Sequence, residues 1–284
     1  SGVVLTGRDE GRAREAAAAL NSRAGAGARA GAARAYGVGC EVSDADSVAA
    51  LDEAAAEALG GPASAWVCNA GTNGYVYREL LEMDPAVVGE VIGANAVGTL
   101  LSARQALRSG ARHVFLMEGA GSAGEPTRKY AAYGYSKAGY RQLVGSLNAE
   151  LKALESDARV HALSPGLVRT AMTSPGDDAF GSTGRFFVNA VAEEPAAVAQ
   201  FLAPRLVAVA AGGCAADVEE SQLARVLGGL QAQVRGHERI EFLTPGRLLQ
   251  KVGRRLALGE NKDRFSVEDE EAFRAAKEAA EESR

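Results

Sequence analysis

Cysteine is scarce in this chain: Cys40, Cys68 and Cys214 are the only three in 284 residues. They are odd in number and widely spaced. They offer neither a disulfide framework nor paired metal-ligand spacing, which points to a reducing compartment. Histidine is equally rare. His113, His161 and His237 are scattered along the sequence, and no metal site is expected. There is no excess of positive charge, since 31 basic residues face 36 acidic ones for a net charge of -5. A nucleic-acid partner is therefore not expected, because phosphate binding needs a basic face. No uninterrupted apolar run reaches the roughly 18 residues of a membrane span. The most apolar stretch, residues 186–211, is broken by Glu193, Glu194, Pro195, Pro204 and Arg205. No targeting segment is visible, and the first residue, Ser1, falls inside what reads as a strand, so this carries no weight.

What is present is ordinary globular composition, with 47% hydrophobic and 24% charged residues. The length suits one large domain or two small ones. Short apolar runs alternate with longer helical stretches. Strands are expected near residues 3–5, 35–42, 65–68, 113–117, 159–162 and 240–243. Helices are expected over 9–20, from an N-cap at Ser43 to 59, over 85–108 in two pieces, over 131–154, and from Glu194 and Pro195 onward. Residues 21–33 read as a loop. This alternation predicts a parallel sheet with helices on both faces. In such sheets ligands sit at the carboxyl ends of the strands. Arg8, the run Asn69 to Gly71, the run Gly119 to Ser122 and the run Pro165 to Thr170 all follow strands.

The stretch Tyr133-Gly134-Tyr135-Ser136-Lys137 places a phenol and an ammonium four residues apart at the start of a helical run. Positions i and i+4 share a helix face, so both groups can enter one pocket. A positive charge nearby would lower the phenol's pKa from its usual value near 10, giving an acid useful in carbonyl reduction. Taken alone, the same spacing also describes a half-buried ring beside a solvated charge. Tyr130, Tyr135 and Tyr140 lie close by, but none has a lysine four residues later.

Further signals follow the same order as a known set. Asn69-Ala70-Gly71 follows a strand, Asn95 sits mid-helix in Ala94-Asn95-Ala96-Val97-Gly98, and Pro165-Gly166-Leu167-Val168-Arg169-Thr170 follows Tyr133 and Lys137. This ordered set resembles the short-chain dehydrogenase/reductase family over roughly residues 2–245. The resemblance implies a doubly wound, Rossmann-like α/β fold and a nicotinamide cofactor. It implies that Tyr133 protonates a carbonyl oxygen. Lys137 would lower the tyrosine's pKa and bind the nicotinamide ribose, and Asn95 would hold a relay water. Asn69, Ala70 and Gly71 would line the adenosine and ribose side, with Val42 another cofactor contact. Pro165, Gly166 and Thr170 would meet the nicotinamide. The bland alternatives are a helix-kink asparagine at 95 and a simple turn at 164–166.

Two departures stand out. The family places a serine shortly after its fifth strand, where this chain reads Met117-Glu118-Gly119. Gly119 fills that slot, and either Ser122 or a backbone N–H of the loop is expected to replace the hydroxyl. The family also opens with a strand and a glycine-rich turn that cradles the pyrophosphate. Thr6-Gly7-Arg8-Asp9-Glu10-Gly11-Arg12-Ala13 is only superficially similar. Between Thr6 and the acidic turn Glu41-Val42-Ser43-Asp44 there is room for one helix, not for helix, strand and helix. Leu5 to Asp9 instead resembles the family's second strand, which makes Arg8 the selector for the 2′-phosphate of NADP. The first strand, glycine turn and first helix are thus expected to be missing, the chain is read as a fragment of a longer reading frame, and weak NADPH binding is expected of it as written.

Within that family the chain looks like the chlorophyll(ide) b reductase branch. The resemblance rests on Met117 to Ser122, Ala131 to Gly134, Asn69 to Asn73, Phe186 to Asn189, Ala192 to Pro195 and Phe242 to Thr244. It implies NADPH-dependent reduction of the C7-formyl group of chlorophyll b or chlorophyllide b in a chloroplast, at a thylakoid membrane, as a homo- or hetero-oligomer. A generic carbonyl reductase with another apolar substrate, and a noncatalytic partner of a complete homologue, remain alternatives. Residues 173–189, with Phe180, Phe186 and Phe187, are expected to form a substrate lid, and 211–238 an insertion or linker. Residues 246–284 form a second region. There Arg247, Lys251, Arg254 and Arg255 alternate with leucines, as a membrane-surface helix or as a packed helix with a solvated basic face, followed by an acidic tail.

Overall fold

The computed structural model describes residues 2–25, 34–170, 172–173, 186, 188–215 and 237–258, with residues 275 and 278. Strand β1 (Gly2–Gly7) leads into helix α1 (Glu10–Gly25), then β2 (Arg34–Gly39), α2 (Ala45–Leu59) and β3 (Ala65–Cys68). Helices α3 (Pro85–Ile92) and α4 (Gly98–Arg108) flank a π-helical segment, Gly93–Val97. After β4 (His113–Met117) come α5 (Ala131–Ala138), α6 (Tyr140–Ala153), β5 (Arg159–Ser164), α7 (Pro195–Ala210), β6 (Arg239–Glu241) and α8 (Pro245–Leu258).

Among the described residues all strand pairing is parallel. One sheet joins β1 to β2, with Gly2 opposite Arg34 and Gly7 opposite Gly39. The other has the order β3-β4-β5-β6. The Rossmann-like α/β expectation holds, and Tyr133, Asn95 and the Pro165 turn all fall at the carboxyl edge of the sheet. Among the described residues no backbone pairing joins β1 to β3. Central strands of a doubly wound sheet are covered on both faces. Val114, Phe115, Leu116 and Val160 are fully buried, whereas Val3 on β1 and Val67 on β3 are 47% and 43% exposed. Trp66 spans the junction, packing on both the β4–β5 core and the Cys40–Val48–Leu51 core. Its indole Nε1 is buried with no hydrogen-bond partner among the described residues.

Several boundaries differ from expectation. The cap of α2 is Asp44, not Ser43: the Asp44 carboxylate accepts from the Asp46 and Ser47 N–H groups, while Ser43 Oγ donates to Glu41. Helix α1 runs on to Gly25 through the expected loop, because Asn21 clamps Ala35 with a pair of hydrogen bonds, each 2.8 Å, and so ties the helix end to β2. The 131–154 helix is interrupted at Gly139. Residues 85–108 run as one helical segment of 24 residues with mean hydropathy 1.5, long and apolar enough by length and composition to cross a membrane. Here the segment packs on α2, β3 and β4 and carries the buried Asn95, as a core helix does. His113 and His161, scattered in sequence, stack with Phe115, and their ring nitrogens lie 3.2 Å apart. Phe180 and Phe187 of the expected lid, most of the expected 211–238 linker and the acidic tail lie outside the described residues.

The basic helix α8 packs on the domain, as one of the two expectations has it, but of its four basic residues only Arg254 is exposed. Arg247, Lys251 and Arg255 share one face by their i, i+4 spacing. That face meets the domain. Arg247 lies over the rings of Phe201 and Phe242 and donates to Phe242 O at 2.9 Å. Lys251 pairs with Glu193, and Arg255 approaches Phe186. Leu249, Leu256 and Leu258 are left exposed.

Candidate functional site

Tyr133 rises from the first turn of α5, and its hydroxyl lies directly over Gly119 at the end of β4. A Cβ at position 119 would overlap that hydroxyl and come within 3.1 Å of the ring's Cζ. The slot that holds serine elsewhere in the family is therefore filled by the tyrosine itself. Ser122 is buried, and its Oγ accepts from the Gly119 N–H at 3.0 Å. The two groups expected to replace the missing serine are thus bonded to each other. Gly119→Ser, which restores the common family residue, is expected to displace the Tyr133 hydroxyl and lower turnover by about 100-fold or more, with the fold retained by circular dichroism.

Lys137 is 3% exposed. Its Nζ donates to Met117 O at 2.9 Å and to the Tyr140 hydroxyl at 3.1 Å, and stands 4.2 Å from the Tyr140 ring centre. It is 6.0 Å from the Tyr133 ring centre. Desolvation by burial pulls the Lys137 pKa down to about 8, against smaller upward effects of Cys68 and Glu118. Burial, aided by Tyr77, pushes Tyr133 up to about 12. The expectation that Lys137 lowers the tyrosine's pKa is not met, because burial outweighs a cation that does not touch the phenol. Tyr133 therefore keeps its proton at neutral pH, as an acid must before it donates. Because the unfolded chain binds the lysine proton more tightly, this group makes stability fall as pH drops from about 10.5 toward 8. Lys137→Met is expected to remove that slope, read as wild-type and variant melting temperatures compared across the window.

Asn95 is fully buried in the π segment, a feature that recurs at functional sites. Its Oδ1 accepts from the Thr72 N–H at 2.7 Å, and its Nδ2 donates to Thr72 O at 2.9 Å and Ser136 Oγ at 2.8 Å. Ser136 Oγ in turn donates to Tyr133 O at 2.6 Å. The amide thus clamps the loop after β3 to α5. Its backbone oxygen accepts from the Tyr140 hydroxyl at 2.6 Å. Gly71 completes the junction, since a Cβ there would meet Asn95 Oδ1 at 2.8 Å.

A cavity of about 280 Å³ opens beside these groups, lined by residues at the carboxyl ends of β1, β2 and β3 and by α3. Of the expected cofactor residues, Arg8, Val42, Ala70 and Gly71 line it, while Asn69 is exposed and does not. Arg8 is half-exposed and 3.7 Å from Glu90. Pro165, Gly166 and Thr170 lie at the end of β5, with Gly166 in the left-handed region at φ 70° where it passes against Leu243. Thr170 is exposed and engages Thr173. The segment beyond is tied back across the site, since Met172 O accepts from Asn73 at 3.1 Å and from Tyr77. Tyr77, Tyr130 and Tyr133 make successive edge-to-face contacts.

Asn73, Tyr77, Thr99, Glu118 and Tyr140 were not singled out as site residues from sequence. For Tyr140 the signal was its i+3 position from Lys137, and for Thr99 its i+4 position from Asn95. The buried Glu118 carboxylate, two residues before Ala120 in the loop, accepts from Arg141 at 3.1 Å and from Arg239 at 2.7 and 3.0 Å.

Residues 2–213 match the family model described as enoyl-(acyl carrier protein) reductase. The chain is 35% identical over 215 residues to the chloroplastic chlorophyll(ide) b reductase NOL of Oryza sativa subsp. japonica, covering 73% of this chain and 60% of that protein. For the Arabidopsis thaliana protein of the same name the identity is 33% over 210 residues, covering 72% and 54%. The chain thus spans 60% or less of the length of these relatives. In fold it is similar to an alcohol dehydrogenase from Thermococcus sibiricus complexed with 5-hydroxy-NADP, at TM-score 0.57, 21% identity and coverage of 72% and 80%. It is also similar to a short chain dehydrogenase from Burkholderia cenocepacia in complex with NADP, at TM-score 0.60, 17% identity and coverage of 84% and 86%. With the ordered Asn95, Tyr133 and Lys137 constellation in place at the sheet edge, the chain belongs to the short-chain dehydrogenase/reductase family of nicotinamide-dependent oxidoreductases.

Proposed function

We propose that this protein reduces the C7-formyl group of chlorophyll b or chlorophyllide b to a hydroxymethyl group, using NADPH, in a chloroplast. The observation that carries the reading is that Asn95 and Lys137, which shares α5 with Tyr133, meet at Gly71, a residue that lines the cavity with Arg8 and Val42. The likeness to chloroplastic chlorophyll(ide) b reductases supports the substrate.

The residues present fit the adenosine end of a nicotinamide dinucleotide. The cavity walls are small residues at strand ends, and Arg8 stands at its mouth as a guanidinium suited to a 2′-phosphate. When bound, the cofactor supplies the hydride that adds to the carbonyl carbon. Tyr133, held protonated by its burial, gives its phenolic proton to the carbonyl oxygen. Lys137, its Nζ 6.0 Å from the Tyr133 ring centre, would bind the nicotinamide ribose. Asn95 keeps the loop after β3 and the helix bearing Tyr133 in register. Tyr77 and Tyr130, in successive edge-to-face contact with Tyr133, offer aromatic surface on the substrate side. Arg8→Ala is expected to weaken NADPH binding about tenfold to a hundredfold while leaving NADH binding unchanged, measured by fluorescence titration.

We further propose that a strand from outside the described residues fills the junction between β1 and β3 and brings the pyrophosphate turn. The half-exposed Val3 and Val67 and the unsatisfied Trp66 support this reading. NADPH titration of the 284-residue chain beside an N-terminally extended one tests it. Equal, tight binding by both would overturn it. Peripheral thylakoid contact, if made through α8, would use Leu249, Leu256 and Leu258, because Arg247, Lys251 and Arg255 face the domain. Flotation with thylakoid-lipid vesicles, lost in a Leu249→Ser and Leu256→Ser double variant, is the expected result.

A further inference from the structure

We propose that Tyr140 is the positioning residue of Lys137, its hydroxyl fixing the ammonium at one buried point behind Tyr133. This rests on the reading of Tyr133 and Lys137 as the proton-delivery pair. Tyr140 is the first residue of α6 and its side chain is buried in the hydrophobic core, 3% exposed, where a phenylalanine would fill the same space. A buried hydroxyl is costly unless bonded, and this one is fully used. It has one proton, which goes to Asn95 O at 2.6 Å. Its acceptor side therefore faces Thr99 Oγ1 at 2.7 Å and Lys137 Nζ at 3.1 Å. With its proton committed to Asn95, the phenol can only accept from the lysine. Its ring adds a second hold, with Nζ 4.2 Å from the ring centre.

The groups around Lys137 make this hold specific. Cys68 faces it from β3, and burial raises that thiol to about 12, so it stays neutral. Glu118 at the end of β4 is bound by Arg141 and Arg239. Tyr133 on the same helix is also neutral. The lysine is therefore placed by two neutral oxygens, Met117 O and Tyr140 Oη, rather than by a counter-ion. That leaves it one N–H uncommitted among the described residues. Through Asn95 O the same hydroxyl couples the lysine to the π segment and so to the loop after β3.

Tyr140→Phe tests this. Lysine labelled with ¹³C at Cε reports the Lys137 titration by NMR without cofactor or substrate. The expected result is a midpoint lowered by about one pH unit, since the ammonium loses an acceptor, with kcat reduced about tenfold or more. Thr99→Val removes a partner of Tyr140 that does not touch Lys137, and is expected to leave the midpoint where it was. Should Tyr140→Phe fail to fold because Thr99 is left unpaired, the double variant Tyr140→Phe with Thr99→Val gives the same reading. An unmoved Lys137 midpoint in the folded variant overturns the inference, whatever the turnover. A lowered midpoint in a protein that turns nothing over would instead count against the reductase reading.

Discussion

Tyr133→Phe is expected to lower turnover of chlorophyll b by about 10²–10⁴-fold, the span associated with losing a general acid. The substitution removes one oxygen that the structure places over Gly119, and leaves the edge-to-face contacts with Tyr130 intact. Folding and NADPH affinity should change little. The relevant readout is kcat with binding measured separately, because an interaction made only as the proton moves should leave ground-state binding alone. Unchanged turnover would remove Tyr133 as the proton donor, whereas no turnover in the unmutated, cofactor-binding protein would favour a noncatalytic partner.

Glu118→Ala carries the largest expected loss of stability. The carboxylate side chain is 3% exposed and is shared by Arg141 and Arg239, the latter also paired with Glu241. Removing one partner of a buried ion pair typically costs about 3–5 kcal/mol. The partly exposed arginines, which water can reach, place the expected value near about 3 kcal/mol. Urea unfolding checks it. The triad joins β4, α6 and β6, so its loss should also loosen the loop bearing Gly119. Glu118→Gln, which keeps the shape and part of the hydrogen bonding, should cost clearly less. An alanine variant as stable as wild type would remove the triad from the account.

The alternation of strands and helices and the shared face of Tyr133 and Lys137 were legible in the sequence because those features depend on local spacing. Tyr133 and Lys137 share a helix face by arithmetic alone, whereas the seat of the Tyr133 hydroxyl over Gly119 is visible only in the structure. What spacing cannot give is the environment. A shared face does not set a distance, and the 6.0 Å between Lys137 Nζ and the Tyr133 ring centre lets burial decide the tyrosine's pKa. Tyr140 was passed over for lacking a lysine four residues later, because its role comes from Asn95, 45 positions away. Glu118 takes its meaning from arginines 23 and 121 positions on. In α8 a basic stripe was read as facing lipid or water. The acceptors that turn it inward, Glu193 and the Phe201 and Phe242 rings, lie on other elements.

The central claim is that Tyr133 and Lys137 complete a hydride transfer to the C7-formyl group. It is tested most directly by giving the N-terminally extended protein chlorophyll b and NADPH deuterated at the transferable C4 position, then analysing the pigments by chromatography and mass spectrometry. The account predicts a 7-hydroxymethyl pigment carrying one deuterium. A protein that demonstrably binds NADPH, yet leaves the formyl pigment unchanged, would contradict it.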